Sequence, residues 1–340
     1  MKDTFESGSC ICIGSTRSGK SEAAVRKILA AASLGWAVVC IDPHSDSLAW
    51  RALLHLIAEG HERRILFERL SSLDRVLGIS GIRCSQAENP IERAAENEEL
   101  VDHYTELFTR RSGQQSLSDS PLKEEGVRLG VAHMIDQNPR RPDSYFRYVF
   151  EPEHPKFTEL LQGSTSEAIR FQFGKIASGA TRVSQYASAK RLINATVGSI
   201  PYLARSRSSF DLGAFLNNRG VLLVEGGYSG VSDEARRTVM GGMILRTIQF
   251  IRTRRKASPR VLLVLDEATN AGLISQSGFE CKAMAECQKW GLDFLTLVQQ
   301  PNFPRDVSQQ IFSNCVRHEY FLPRQQNWWA RSCSGRRASS

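Results

Sequence analysis

An α/β fold built on a mainly parallel sheet is predicted by three observations. Short, almost wholly apolar runs end in glycine or in an acid; a glycine-rich loop joins the first of them to a helix; and the strand texture lapses in mid-chain and then returns. Strands buried on both faces of a parallel sheet read as continuous apolar runs, not as alternating ones.

The first run, Ser-Cys-Ile-Cys-Ile at 9–13, stops at Gly14, and from Ser21 to Leu34 the pattern turns helical with Val25, Ile28, Leu29 and Ala32 on one face. Ala37 to Ile41 is a second strand ending at Asp42-Pro43, which completes a βαβ unit, and Arg64 to Phe67 is a third short run. Beyond Gly81 the texture is helical. Asn89 caps and Pro90 opens a helix whose buried stripe is Val101, Tyr104 and Phe108. A polar loop covers 112–120, and Pro121 opens a helix carrying Val127, Val131, Met134 and Ile135. Residues 139–155 are proline-rich and irregular, and further helical patterns reach about Leu203.

Strands resume at Val221–Val224, Arg260–Leu265, Asp293–Val298 and Val316–Phe321. Between them, Ser232 caps a helix through Ile251, with Met240, Ile244, Thr247, Ile248 and Ile251 inward, and another helix runs from Phe279 to Trp290. The expected organisation is one nucleotide-binding α/β core in two parts, 1–81 and 209–325, interrupted by a mostly helical insertion at 82–208 and followed by a flexible tail at 326–340.

Composition sets bounds. With 41% hydrophobic and 24% charged residues among 340, the chain is an ordinary folded protein. Its net charge of +8 favours an anionic partner, nucleic acid first, and says nothing of the fold. The eight cysteines show no C-x-x-C pair, and Cys10, Cys12 and Cys40 fall inside strand runs. They read as buried reduced thiols of a cytosolic protein rather than as a zinc site. There is no apolar signal segment and no apolar stretch long enough to span a bilayer. Work at the inner face of a membrane would need another polypeptide or a missing segment as anchor.

The chemistry concentrates in two stretches. Gly14-Ser15-Thr16-Arg17-Ser18-Gly19-Lys20-Ser21 fits G-x-x-x-x-G-K-[ST]. The glycines let successive backbone N–H groups turn inward onto phosphate oxygens, and the following helix aims its positive end at them. Lys20 would reach the β- and γ-phosphates, and the Ser21 hydroxyl would ligate Mg²⁺. The strand Val261–Leu265 ends in Asp266-Glu267: the Asp to hold Mg²⁺ through water, the Glu to polarise the attacking water. Loop and acids together predict a RecA-like P-loop NTPase core that binds ATP with Mg²⁺ and hydrolyses it. Gln299 or Gln300, ending the next strand, would hydrogen-bond the γ-phosphate or the lytic water. Asp42 is site-adjacent, and His44 reads as a loop residue.

I-C-I-G-S-T-R-S-G-K-S, V-C-I-D-P-H-S-D at 39–46, V-L-L-V-L-D-E-A and K-W-G-L-D-F-L-T-L-V-Q-Q-P together resemble the FtsK/HerA superfamily of ring-shaped motor ATPases, especially the coupling ATPases of conjugative type IV secretion. The resemblance covers 8–80 and 208–322. It implies DNA translocation by a homohexamer with each site at a subunit boundary, and a membrane-bound secretion partner. Lys20, Ser21, Asp266, Glu267 and Gln299 or Gln300 match the family's motif positions. The family's arginine three residues before the glycine of the K-W-G segment is Gln288 here, so either another cation (Lys289, Arg252 or Arg254) serves in trans or hydrolysis is weak. The family's membrane-spanning N-terminal segment is absent.

From Ile169 to Arg207 there are seven cations (Arg170, Lys175, Arg182, Lys190, Arg191, Arg205, Arg207) and no acid. That composition suits phosphate contacts without base reading, or equally a solvated helical face. Arg252, Arg254, Arg255 and Lys256 form a second cluster that a helix C-terminus alone would favour. Trp328-Trp329 offers base stacking or packing. A protein-secreting ATPase and a nucleotide-binding scaffold with little turnover are the alternatives to a DNA motor.

Overall fold

The computed structural model describes residues 7–71, 84–85, 87–109, 121–137, 143–181, 183–199, 210–227, 233–269, 271–274, 279–300, 303 and 305–321. The expected loop at 112–120, the Ser232 cap, Arg182, Arg205, Arg207, Trp328, Trp329 and the tail at 326–340 lie outside the described residues.

All seven expected strands are present: β1 (Cys10–Gly14), β2 (Ala37–Asp42), β3 (Ile65–Arg69), β4 (Val221–Glu225), β5 (Val261–Leu265), β6 (Leu292–Val298) and β7 (Arg317–Phe321). They form one sheet in the order β3-β4-β2-β5-β6-β1-β7, and every pairing is parallel. β2, β4, β5 and β6 are buried at every position, which accounts for their largely apolar sequences; the buried Asp293 of β6 pairs with Arg260 at 2.7 Å. The edge strand β7 alternates half-buried with exposed residues.

The eleven α-helices among the described residues are α1 (Lys20–Ser33), α2 (Leu48–Ala58), α3 (Pro90–Thr109), α4 (Pro121–Gln137), α5 (Pro155–Gly163), α6 (Glu167–Ala177), α7 (Ala187–Ser199), α8 (Leu212–Asn217), α9 (Asp233–Arg254), α10 (Phe279–Cys287) and α11 (Arg305–Asn314). The side-chain carbonyl of Asn89 accepts the Ile91 amide at 2.9 Å, so the cap expected before Pro90 forms. The stripes expected on α3, α4 and α9 are buried throughout. Helices α2, α8 and α11 were not anticipated. Leu48, Ala52 and Leu56 of α2 are buried at i, i+4 and i+8, a readable stripe. In α11 only Val307 and Ile311 are buried, too few to declare a period.

α1 and α2 cover one face of the sheet, with Val25, Ile28, Leu48 and Leu56 against Cys12, Val38, Leu223 and Val264. On the other face one continuous apolar cluster runs from Ile41, Val224 and Leu265 through α9 and α10 into α3, α4 and α7. Arg252 bridges the helical segment to the core, donating to Glu99 of α3 at 3.2 Å and to Glu286 of α10 at 2.7 Å. No described helix is long and apolar enough to cross a membrane.

Candidate nucleotide site

Parallel strands place all their carboxyl ends on one edge, which is where α/β sheets bind ligands. Three neighbouring strand tips matter here. β6 lies between β1 and β5, with Ile13 opposite Val298 and Leu265 opposite Thr296. Gly14, Gln299 and Asp266 therefore emerge side by side, although 252 residues separate the first from the last.

The loop at 14–21 turns as its glycines require. Gly19 has φ +103° and is the N-cap of α1, and a Cβ on Gly14 would sit 2.4 Å from the Phe321 carbonyl oxygen and 2.8 Å from Ser18 Oγ. Arg17 also takes a left-handed φ, +64°, which a side chain adopts only at a cost. Lys20 is buried and folds back over the loop, its ammonium donating to the carbonyls of Gly14 and, at 2.9 Å, of Ser15. Ser18 Oγ is buried with no hydrogen-bond partner among the described residues.

At the tip of β5, Asp266 accepts the Glu267 amide at 3.0 Å. Its own amide donates to Ile41 O at 3.0 Å, which ties the acid to β2. Burial, and then the Asp42 and Glu267 carboxylates, push Asp266 up to about 7. Glu267 is held at φ +48°, an uncommon conformation for this residue, and accepts a 2.7 Å hydrogen bond from Gln299 Nε2. Of the two candidate glutamines, Gln299 is the one joined to the acid pair; Gln300 supplies its backbone oxygen to Thr269 Oγ1 at 3.3 Å.

Asp42 acquires a structural role that the sequence left open. Its carboxylate accepts the amides of His44 and Ala49, both at 2.9 Å, shaping the turn after β2 and capping the first turn of α2. Burial drives it up to about 6. A second acid, Glu225 at the tip of β4, is fully buried and accepts Arg69 Nε at 2.7 Å.

Arg236 and Arg237 were missed by sequence reasoning. With Pro43, His44, Met240 and Glu267 they line a cavity of about 210 Å³. Arg236 donates to Pro43 O at 3.4 Å. Both lie in the first two turns of α9, where the helix dipole disfavours cations. Two arginines at that end were the available signal. Arg236 also pairs with Asp233 at 3.4 Å, and Arg237 donates to Asp233 O at 3.2 Å. The cations named for a role in trans are likewise engaged within their own chain. Arg252 holds Glu99 and Glu286, Arg254 donates to Trp290 O at 3.2 Å, and the Lys289 ammonium lies 4.5 Å from the Trp290 ring centre.

The donor set fits a metal-bound triphosphate. Lys20 and the buried Ser18 hydroxyl supply donors, and Asp42, Asp266 and Glu267 gather negative charge that a divalent cation would neutralise.

Solved structures carry the same architecture. The bacterial conjugative coupling protein TrwB, without ligand, superposes with a TM-score of 0.58 over 90% of this chain and 66% of its own, at 13% identity. The fold is that of TrwB. TrwB in complex with ADP and Mg²⁺ matches with a TM-score of 0.59 at 14% identity, over 90% of this chain and 68% of its own. VirB4 of Thermoanaerobacter pseudethanolicus matches with a TM-score of 0.57, over 96% of this chain and 79% of its own, again at 14% identity. This chain thus spans about two thirds of the solved TrwB chain, and at such identities the likeness is one of fold. Neither a protein-family model nor a curated protein sequence matches the chain.

Proposed function

We propose that the chain is an ATP-binding, Mg²⁺-dependent ATPase that moves DNA, as a ring of identical subunits. One observation carries the ATPase reading: the phosphate loop, the Asp266-Glu267 pair and Gln299 converge at the tips of three adjacent strands, with Gln299 bonded to Glu267.

In this reading each residue has a task. The amides of 15–21 and the amino end of α1 take the phosphate oxygens. Lys20 exchanges the carbonyls of Gly14 and Ser15 for the β- and γ-phosphates, a better partner for an ammonium than neutral oxygens. Ser21 and Asp266 would hold Mg²⁺, which would supply positive charge against the phosphates. Glu267 accepts a proton from the attacking water, and the Gln299 amide keeps its carboxylate oriented. Arg236 and Arg237 offer positive charge beside Glu267 from within the same chain, where the resemblance called for a neighbour's arginine.

Support for DNA comes from charge and from α6. Arg170 and Phe171 are exposed there, and the Lys175 ammonium lies 4.2 Å from the Phe171 ring centre. An exposed aromatic among cations suits stacking on a single strand. The fold shared with TrwB, a conjugative coupling protein, agrees with this reading. Within the proposal, docking to a membrane falls to a secretion partner.

The test is ATP turnover with and without DNA, in wild type and Lys20→Ala. The expected result is turnover that DNA stimulates and that the substitution abolishes. Turnover indifferent to DNA would instead favour a protein-secreting ATPase, and binding without turnover a scaffold.

A further inference from the structure

Beneath α1, on the far side of β1 from the helical segment, lies a polar cluster that nucleotide chemistry does not use. Cys10 and Cys12 are two residues apart on a strand, so their side chains share one face. β7 pairs with β1 in register, Cys12 opposite Glu319, which brings the carboxylate onto that same face. The two sulfurs and a Glu319 oxygen all lie within 4.8 Å of one another. Lys27 descends from α1, donating to Cys10 Sγ at 3.4 Å and to Glu319 Oε1. Arg317 stands at the rim, 4.0 Å from Glu319.

The spacing is that of metal ligands. Two thiolates on one tetrahedral Zn²⁺, each about 2.3 Å from the ion, stand about 3.8 Å apart, and a thiolate and a carboxylate oxygen about 3.5 Å apart. Here Cys10 Sγ and Cys12 Sγ are 4.0 Å apart, and Cys12 Sγ and Glu319 Oε2 are 3.5 Å apart. An ordinary buried thiol packs as a small hydrophobe and needs no such company. The cluster also has a way in, since the Lys27 and Glu319 side chains are 17% and 26% exposed while both cysteines are buried.

We propose that Cys10, Cys12 and Glu319 form a binding site for a thiophilic divalent cation, Zn²⁺ being the ion the geometry fits. Both cysteines bind as thiolates and release their protons to solvent. Lys27 keeps its hydrogen bond to Glu319 Oε1, which leaves Oε2 for the ion and steadies the carboxylate. The fourth position is open to water. The ion ties the edge strand β7 to β1 just before the phosphate loop, where Phe321 already packs against Gly14. The sequence hid the site because C-x-C inside an apolar strand looks like core, and the third ligand comes 307 residues later.

Cobalt(II) is the probe, because it reports sulfur ligation by a thiolate-to-metal charge-transfer band that oxygen ligands at a nucleotide site do not give. The full chain, reduced and stripped with a chelator, is titrated with Co²⁺ and then with Zn²⁺. The expected result is one sulfur-ligated Co²⁺ per chain, displaced by Zn²⁺. It should be retained in Lys20→Ala and Cys281→Ser, lost in Cys10→Ser and Cys12→Ser, and weakened in Glu319→Gln, whose half-exposed site tolerates an amide. A wild-type chain without the band overturns the proposal whatever the variants do, and so does a band that persists undiminished in Cys12→Ser. A band lost in Cys281→Ser would move the site elsewhere and overturn it equally.

Discussion

The carboxyl edge of the sheet and the helical segment between α3 and α7 bury polar groups in opposite ways. At the edge, Asp42, Glu225, Asp266, Glu267 and Lys20 come from distant parts of the chain to one row of strand tips, and Arg17, Asp46 and Glu267 there hold left-handed backbone without being glycines. In the helical segment polar groups are tied locally, as Gln137 to Leu160 O at 3.1 Å and Asp136 to the Thr165 amide at 2.9 Å, and one buried imidazole among the described residues has no hydrogen bond at all. His133 is 1% exposed, packs on Phe173 with ring centres 4.2 Å apart, and neither ring nitrogen has a hydrogen-bond partner among the described residues. Convergence with strain indicates chemistry, because like charges held together cost stability that only a ligand repays. A solitary buried imidazole indicates packing.

Substitutions should separate the two regions. The largest effect is expected for Glu267→Gln: turnover falls about 100- to 10,000-fold, nucleotide affinity persists, and stability holds or rises, since one of the crowded carboxylates is gone. Steady-state turnover beside a binding titration measures this. A loss of folding with that variant would mean that Glu267 serves the fold and would erase the contrast.

Next comes His133, which acts on stability alone. Burial depresses its imidazole to about 4, whereas the unfolded chain titrates near its ordinary 6.5. The unfolded state thus binds the proton more tightly. Stability is complete above about pH 6.5 and declines by about 3 kcal/mol as pH falls toward 4. Urea midpoints across that window should fall steeply for wild type and less for His133→Leu, with ATP turnover near neutral pH unchanged.

Much of this was legible in the sequence, and the legible parts share a cause. Continuous apolar runs such as Val261–Leu265 name buried parallel strands without any partner being known, and the phosphate loop is a local motif whose glycines answer to local geometry. Asn89-Pro90 announces a helix by its own chemistry. What sequence reasoning missed depends on approach between remote segments. Asp42 as a cap for α2, Arg236 and Arg237 beside Glu267, and Gln299 rather than Gln300 as the partner of Glu267 are set by strand order and register. α11 escaped because two buried residues fix no period.

Smaller effects sharpen the edge itself. Gly14→Ala drives a methyl group into the Phe321 carbonyl, 2.4 Å away, and should cost about 1–3 kcal/mol while weakening nucleotide binding. Thermal melts with and without nucleotide read both. Gln299→Ala removes one hydrogen bond to Glu267, and turnover should fall about tenfold with affinity nearly intact.

Whether loop and acids grip one metal-bound triphosphate is tested most directly by Mg²⁺ dependence. Affinity for a non-hydrolysable ATP analogue is measured by calorimetry with and without Mg²⁺, in wild type and in Asp266→Asn. In wild type Mg²⁺ should tighten binding, and more so as pH rises through about 7, where Asp266 sheds its proton. In Asp266→Asn that Mg²⁺ enhancement should vanish while the metal-free affinity, set by Lys20 and the loop, stays. An enhancement equal in the two proteins would mean that Asp266 and the phosphate loop do not share a ligand.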